Sequence, residues 1–200
     1  MKAIIFDLFG TLVFLQKETD PYLKAYQQYF SAHLAYPAFK RQALTQDHTS
    51  LSDFGKSYGI EEQSLRAFDQ EVMKENESIR MFSEVEEVLT PLSQQYDLYV
   101  LSNIATPYIP GYDRLGLGRW IQKPYFSSKI GWMKPDPEIF EFVVQHIGLA
   151  KEEVMMVGDS YRADFQGASA YGLKAVWLNR GGRGEKGTIT DLRQLEGLLA

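Results

Sequence analysis

The sequence predicts a doubly wound α/β fold with a parallel sheet, on three observations. Four short runs are apolar at every position rather than at alternate ones. Each run stops at a polar or glycine-containing turn. Stretches with helical spacing lie between the runs. Runs of this kind suit strands buried on both faces of a parallel sheet. Strand and helix in alternation are the pattern of a doubly wound sheet.

The elements follow in order. Ala3-Ile4-Ile5-Phe6 is the first strand and stops at Asp7. Residues 15–80 then break the alternation. They offer no strand but carry aromatic-rich helical stretches: Tyr22, Tyr26, Tyr29 and Phe30, then Leu65, Phe68, Val72 and Met73. Stripes of this spacing read as core, so the segment reads as a small all-helical cap inserted after the first strand. Residues 1–14 and 81–200 would then form the α/β core. Within it, Glu84 to Gln95 places Val85, Val88, Leu89 and Leu92 on one helical stripe. Leu98-Tyr99-Val100-Leu101 is a strand stopping at Ser102-Asn103. Asp136 to Ile147 is a helix with Ile139, Phe140, Val143 and Val144 on its apolar face. Val154-Met155-Met156-Val157 is a strand stopping at Gly158-Asp159. A helix runs from there to Tyr171, with Gly172 as its stop. Ala175-Val176-Trp177-Leu178 is the last strand, and Leu192, Leu195, Leu198 and Leu199 mark a closing helix.

Composition narrows the function classes. The net charge of −5 argues against nucleic acid, which needs a basic face. A local cluster of cations can still receive a small anion. The absence of cysteine excludes disulfides, thiolate metal sites and cysteine nucleophiles. No stretch approaches the roughly 20 apolar residues that span a bilayer. Asp7 interrupts the apolar N-terminal run and no small-residue cleavage site follows, so the start is a poor signal peptide. A cytoplasmic protein without a membrane partner is expected. Oligomeric state is not legible.

In open α/β sheets ligands bind beyond the carboxyl ends of the strands. Three runs end in Asp7, Ser102 and Asp159, and parallel strands would bring these to one edge. Taken singly, each has an ordinary reading. Asp7 suits a turn or helix N-cap, Ser102-Asn103 a turn, and Lys134 a solvated loop. Asp159 and Asp164 suit a helix N-terminus paired with Arg162. The set, in this order, is more specific than its members.

Asp7-Leu8-Phe9-Gly10-Thr11-Leu12 resembles the first motif of the haloacid dehalogenase-like superfamily. Leu101-Ser102-Asn103 resembles its second. Lys134-Pro135-Asp136-Pro137-Glu138-Ile139-Phe140 resembles its third. Val157-Gly158-Asp159-Ser160 through Asp164, with Gly167-Ala168 following, resembles its fourth. The match covers essentially the whole chain, and the cap position matches the family's helical-cap subgroup. The resemblance implies a Rossmann-like core and a hydrolase with Asp7 as covalent nucleophile. It implies Mg²⁺ held by Asp7, the backbone carbonyl of Phe9, Asp159 and Asp164. Lys134 would hold Asp7 and the oxygens of the transferring group. Ser102 and the backbone N–H of Asn103 would donate to the same oxygens. Gly10 would permit a tight turn, and Thr11 would brace it.

Phe9 departs from the family's phosphatases, which mostly carry a second Asp there to protonate the leaving oxygen and activate water. Phe can do neither, and such help is typically worth about 10²–10⁴-fold. Three readings stay open. One is a Mg²⁺-dependent phosphatase acting on a small phosphorylated metabolite. The second is a 2-haloacid dehalogenase, whose halide leaves unprotonated, with Arg41 receiving a carboxylate or halide. The third is a catalytically weak binding or regulatory protein. Retention of both Asp159 and Asp164 favours the first, because buried carboxylates beside Asp7 need a cation. His33, His48 and His146 lack metal-ligand spacing. Gly181-Gly182-Arg183-Gly184 reads as a flexible turn.

Overall fold

The computed structural model describes residues 1–182 and 188–199. Its centre is a parallel sheet of six strands. The strands are β1 (Ala3–Phe6), β4 (Asp97–Ser102), β5 (Ile121–Phe126), β6 (Val154–Gly158), β7 (Lys174–Leu178) and β8 (Thr188–Ile189), in spatial order β5-β4-β1-β6-β7-β8. Two short antiparallel strands, β2 (Val13–Leu15) and β3 (Ile79–Met81), pair apart from it.

β1 lies between β4 and β6 and shows why its run is apolar throughout. Ile4 and Phe6 enter one core with Val88 and Leu89 of helix α5 (Val85–Leu92) and with Leu192 and Leu195. Ala3 and Ile5 enter the opposite core with Ile139, Phe140, Val143 and Val144 of helix α8 (Pro137–Ile147). Both faces are covered, so alternation has no role. The register Ala3↔Asp97 and Ala3↔Val154 brings the ends of β1, β4 and β6 level.

Four expected strands and the helices between them are present. Differences arise where elements are short or polar. β5, Ile-Gln-Lys-Pro-Tyr-Phe, has no apolar run. It is an edge strand, where proline is tolerated because one side lacks a partner. β2 and β3 flank the region expected to be strand-free, and at three residues each they are too short for periodicity. The segment after Asp159 is a wide turn over Tyr161–Gln166 followed by α9 (Gly167–Tyr171), with Gly172 beyond. The closing helix is one tight turn at Leu192–Leu195 and then α10 (Glu196–Leu199). Arg183 and Gly184 of the glycine-rich turn lie outside the described residues.

Between β2 and β3 the chain is helical: α1 (Pro21–Ala25), α2 (Tyr36–Thr45), α3 (Leu51–Gly55) and α4 (Glu62–Ser78). These helices enclose their own core of Phe30, Phe39, Leu51, Phe54, Leu65 and Val72, with Tyr22, Tyr26, Tyr29 and Phe68 against it. The aromatic stripe is therefore packing, as expected. Met73 is the exception, at 63% exposure. The insertion is fastened across the carboxyl edge of the sheet. Ser127 opens α7 (Ser127–Ile130); its hydroxyl donates to Leu44 O at 2.6 Å and accepts from Ile104 N at 2.9 Å. Lys129 pairs with Asp47 at 2.7 Å.

Phe30→Ala is expected to cost about 3–5 kcal/mol, while Met73→Ser stays within about 0.5 kcal/mol of wild type. Denaturant titration of both variants checks this, and equal losses would contradict the packing described.

Candidate active site

Beyond the carboxyl ends of β1, β4 and β6 opens a cavity of about 650 Å³. Its walls include Asp7, Phe9, Ser102, Asn103, Lys134, Asp159, Asp164 and Arg41, so the eight residues expected to act on metal or substrate reach one place.

Lys134 is its centre. The side chain is 1% exposed, and its ammonium contacts Asp7 Oδ1 at 2.7 Å and Asp164 Oδ1 at 2.7 Å. It also donates to Leu101 O at 2.6 Å. An ammonium has three protons, and all three are taken by protein acceptors. The Lys134 backbone is fixed from β4: Lys134 N donates to Asn103 Oδ1 and Asn103 Nδ2 donates to Lys134 O, both at 2.8 Å. The reciprocal Asn103 amide thus sets where the ammonium goes. Sequence reasoning gave Asn103 a backbone role and missed this clamp.

The acids are pressed together. One oxygen from each of Asp7, Asp159 and Asp164 lies within 4.8 Å of the others. Two glycines allow it. A Cβ at Gly10, whose φ is +82°, would collide with the Asp159 carboxylate, and one at Gly158 would collide with that of Asp164. Thr11 joins two of the acids. Its hydroxyl accepts from Asp159 N at 3.0 Å and lies 3.5 Å from Asp7 Oδ2. Asp164 also accepts from Ser160 N at 2.9 Å.

Burial dominates the electrostatics. It pushes the Asp7 carboxyl up from 3.8 to about 7; Lys134 pulls it down, and Asp164 and Asp159 push it up again. Asp159 is raised by burial and then by Asp164. Burial disfavours the Lys134 ammonium, but Asp164 and Asp7 more than offset this and its pKa rises. One cation among three clustered carboxylates leaves a shortage of positive charge. Oxygen donors gathered in this way fit Mg²⁺, which takes one or two carboxylates and keeps several waters.

Two placements differ from expectation, and Ser102 keeps to it. Arg41 lines the cavity, but its guanidinium is held by Asp136 through a bidentate contact at 2.6 and 3.2 Å. A substrate anion would have to compete with that carboxylate. Arg162 makes no ion pair among the described residues. Asp164 turns inward to Lys134 while Arg162 stays on the exposed side of the turn. Ser102 is 1% exposed and its hydroxyl has no hydrogen-bond partner among the described residues, which leaves it free to donate into the cavity. Two features of the site, one at the cavity rim and one behind it, escaped sequence reasoning. Lys40 reaches the rim from α2 with nothing but helical position to mark it. Arg180, just past β7, donates to Gly10 O at 3.0 Å and Thr11 O at 2.7 Å and pairs with buried Glu84 at 2.5 Å. It pins the loop after Asp7 from behind.

Comparison with known proteins agrees with this geometry. A family model for haloacid dehalogenase-like hydrolases matches residues 1–172, and the chain belongs to that family. Among its relatives, the HAD-hydrolase YfnB of Bacillus subtilis is 30% identical over 155 residues, covering 71% of this chain and 63% of YfnB. The phosphoserine phosphatase of Thermus thermophilus is 40% identical over 70 residues, covering 35% of this chain and 28% of that protein. These matches therefore span less than two thirds of either relative. In structure, magnesium-bound YfnB superposes with a TM-score of 0.66 at 20% identity, covering 99% of this chain and 98% of that one. A 2-haloacid dehalogenase from Pseudomonas syringae pv. tomato gives 0.68 at 20% identity, covering 100% and 98%. At this identity the superpositions establish the fold.

The Asp7 shift predicts a pH dependence. A carboxyl whose folded pKa is raised contributes stability below its unfolded pKa and loses it as pH rises through the folded value. In chelator, wild type should lose stability relative to Asp7→Asn between pH about 4 and about 7. Melting temperatures at pH 5 and 7.5 test this; a pH-independent difference between the two proteins would contradict it.

Proposed function

We propose that this protein is a Mg²⁺-dependent phosphatase of small phosphorylated molecules, working through an aspartyl-phosphate on Asp7. The observation that carries the proposal is the cluster itself: Asp7 on a buried lysine, with two more carboxylates within 4.8 Å. Residues 15–80 act as a cap over it.

Asp7, Asp159, Asp164 and the Phe9 carbonyl would hold the ion, which when bound supplies positive charge to the acids and the phosphoryl oxygens. Lys134 favours the ionised form of Asp7 against the burial that opposes it, and aims the carboxylate. Ser102 and the Asn103 backbone N–H receive phosphoryl oxygens. An Asp7 oxygen attacks phosphorus, the bond to the leaving oxygen breaks, and water then cleaves the aspartyl-phosphate. Phosphoryl transfer depends mainly on positioning and charge stabilisation, which this set offers. The named phosphatase among the relatives supports the reading. Phe9 supports a second one, a 2-haloacid dehalogenase, because it leaves position 9 without a proton to give.

Phosphate release from small esters should require Mg²⁺ and vanish in Asp7→Asn. Lys134→Met should lower kcat/KM by about 10²–10³-fold, as expected for a lost electrostatic group. Release unaffected by chelator, or halide release from 2-chloropropionate, would overturn the proposal. Phe9→Asp should speed esters of poor leaving groups by up to about 10²–10⁴-fold and leave activated aryl esters nearly unchanged. Equal effects on both classes would remove the leaving-group account of Phe9.

A further inference from the structure

A second cleft of about 270 Å³ opens off the first. The two share Phe9, Lys40, Leu44 and Asn103, so a molecule with its phosphate at Asp7 can extend past Phe9 into this space. The remaining walls are apolar or aromatic and come from both layers. Tyr22, Tyr36, Phe39 and Ala43 belong to the helical side, Leu15 to β2, and Ile104, Ala105 and Tyr108 to the sheet side.

Most side-chain polar atoms along these walls are already engaged; the Tyr36 hydroxyl, on a side chain 38% exposed, and the Lys40 ammonium are the ones without a partner among the described residues. The Tyr22 hydroxyl lies 2.9 Å from His48 Nε2, and His48 Nδ1 lies 3.0 Å from Gln46 O. The Tyr108 hydroxyl donates to the buried carboxylate of Glu75. The Asn103 amide is closed on the Lys134 backbone. Phe9 meets Tyr108 edge-on at 6.4 Å, and Tyr108 meets Tyr22 at 6.1 Å, which makes a continuous aromatic wall. The charge at the lip is Lys40, on the side shared with the phosphate cavity. A sugar or hydroxy-acid leaving group entering here would lose water and, beyond Tyr36 and Lys40, find its hydroxyls facing apolar walls and polar atoms already paired. A cavity of about 150 Å³ already holds benzene, so this one accommodates a single substituted ring.

We infer that this cleft is the leaving-group subsite and that the substrates are phosphate monoesters of compact aromatic alcohols. The inference rests on the phosphatase reading and sharpens it. It also gives Phe9 a purpose. A phenolate departs more readily than an alkoxide and has less need of a proton, and the Phe9 ring packs against the ring that leaves.

Binding and turnover on the full chain separate the two claims. With Mg²⁺ present, calorimetry should show phenylphosphonate binding at least about tenfold tighter than methylphosphonate, the gain expected from burying a ring. Phenyl phosphate should be turned over with a higher kcat/KM than glycerol 2-phosphate. Leu15→Asn, which touches the cleft but not the phosphate cavity, should erode the phenyl preference and leave methylphosphonate affinity alone. Ala43→Leu, by narrowing the cleft, should do the same. Equal affinity for the two phosphonates, faster turnover of the polar ester, or a parallel loss of both phosphonates in both variants would overturn the subsite. A phenyl preference with no turnover of any ester would support the cleft and overturn the phosphatase.

Discussion

One buried ammonium shared by two carboxylates, with a third beside them, is the constraint from which the rest of this structure follows. Lys134 cannot neutralise Asp7, Asp159 and Asp164 together, and all its protons are committed. Burial makes the imbalance costly, since charge removed from water must be paired or given up. Asp7 is pushed up to about 7 as a result. A divalent cation bound there would settle the imbalance and leave Asp7 ionised, the form the proposed nucleophile needs.

Much of the scaffold exists to hold that imbalance in place. Parallel strands of matched register bring Asp7, Ser102 and Asp159 to one edge. Gly10 and Gly158 let the acids approach where any side chain would collide. The Asn103 amide fixes Lys134, Thr11 bridges two acids, and Arg180 anchors the loop between them. The helical insertion, tied down at Ser127 and Lys129, lines one side of the cavity through α2 and supplies one wall of the apolar cleft.

The strands carrying the site were legible because they are buried on both faces, and full burial writes an uninterrupted apolar run. The gathering of Asp7, Ser102 and Asp159 was legible because strand ends in a parallel sheet converge, whereas Lys134 and Asp164, which end no strand, were legible only through the resemblance of their motifs to those of the haloacid dehalogenase-like superfamily. β5 was not, because an edge strand with Pro124 and an exposed polar face carries no such run. β2 and β3 were too short to show a period. The Asn103 clamp, the Arg41–Asp136 pair and the Arg180 anchor join residues 31, 95 and about 170 positions apart. Pairings at that range leave no local signal. Arg162 was assigned a local ion pair by proximity alone, and the inward turn of Asp164 removes it.

Phe9 links the two halves of the account. It stands where a proton donor would act and forms the boundary between a charged cavity and an apolar one. The central claim, that the acids hold a divalent cation against Asp7, is tested most directly by calorimetric titration of the chelator-treated protein with Mg²⁺. The account predicts a single site per chain that is lost in Asp159→Asn and weakened in Asp7→Asn. Heat that is absent in wild type, or unchanged in both variants, would contradict it.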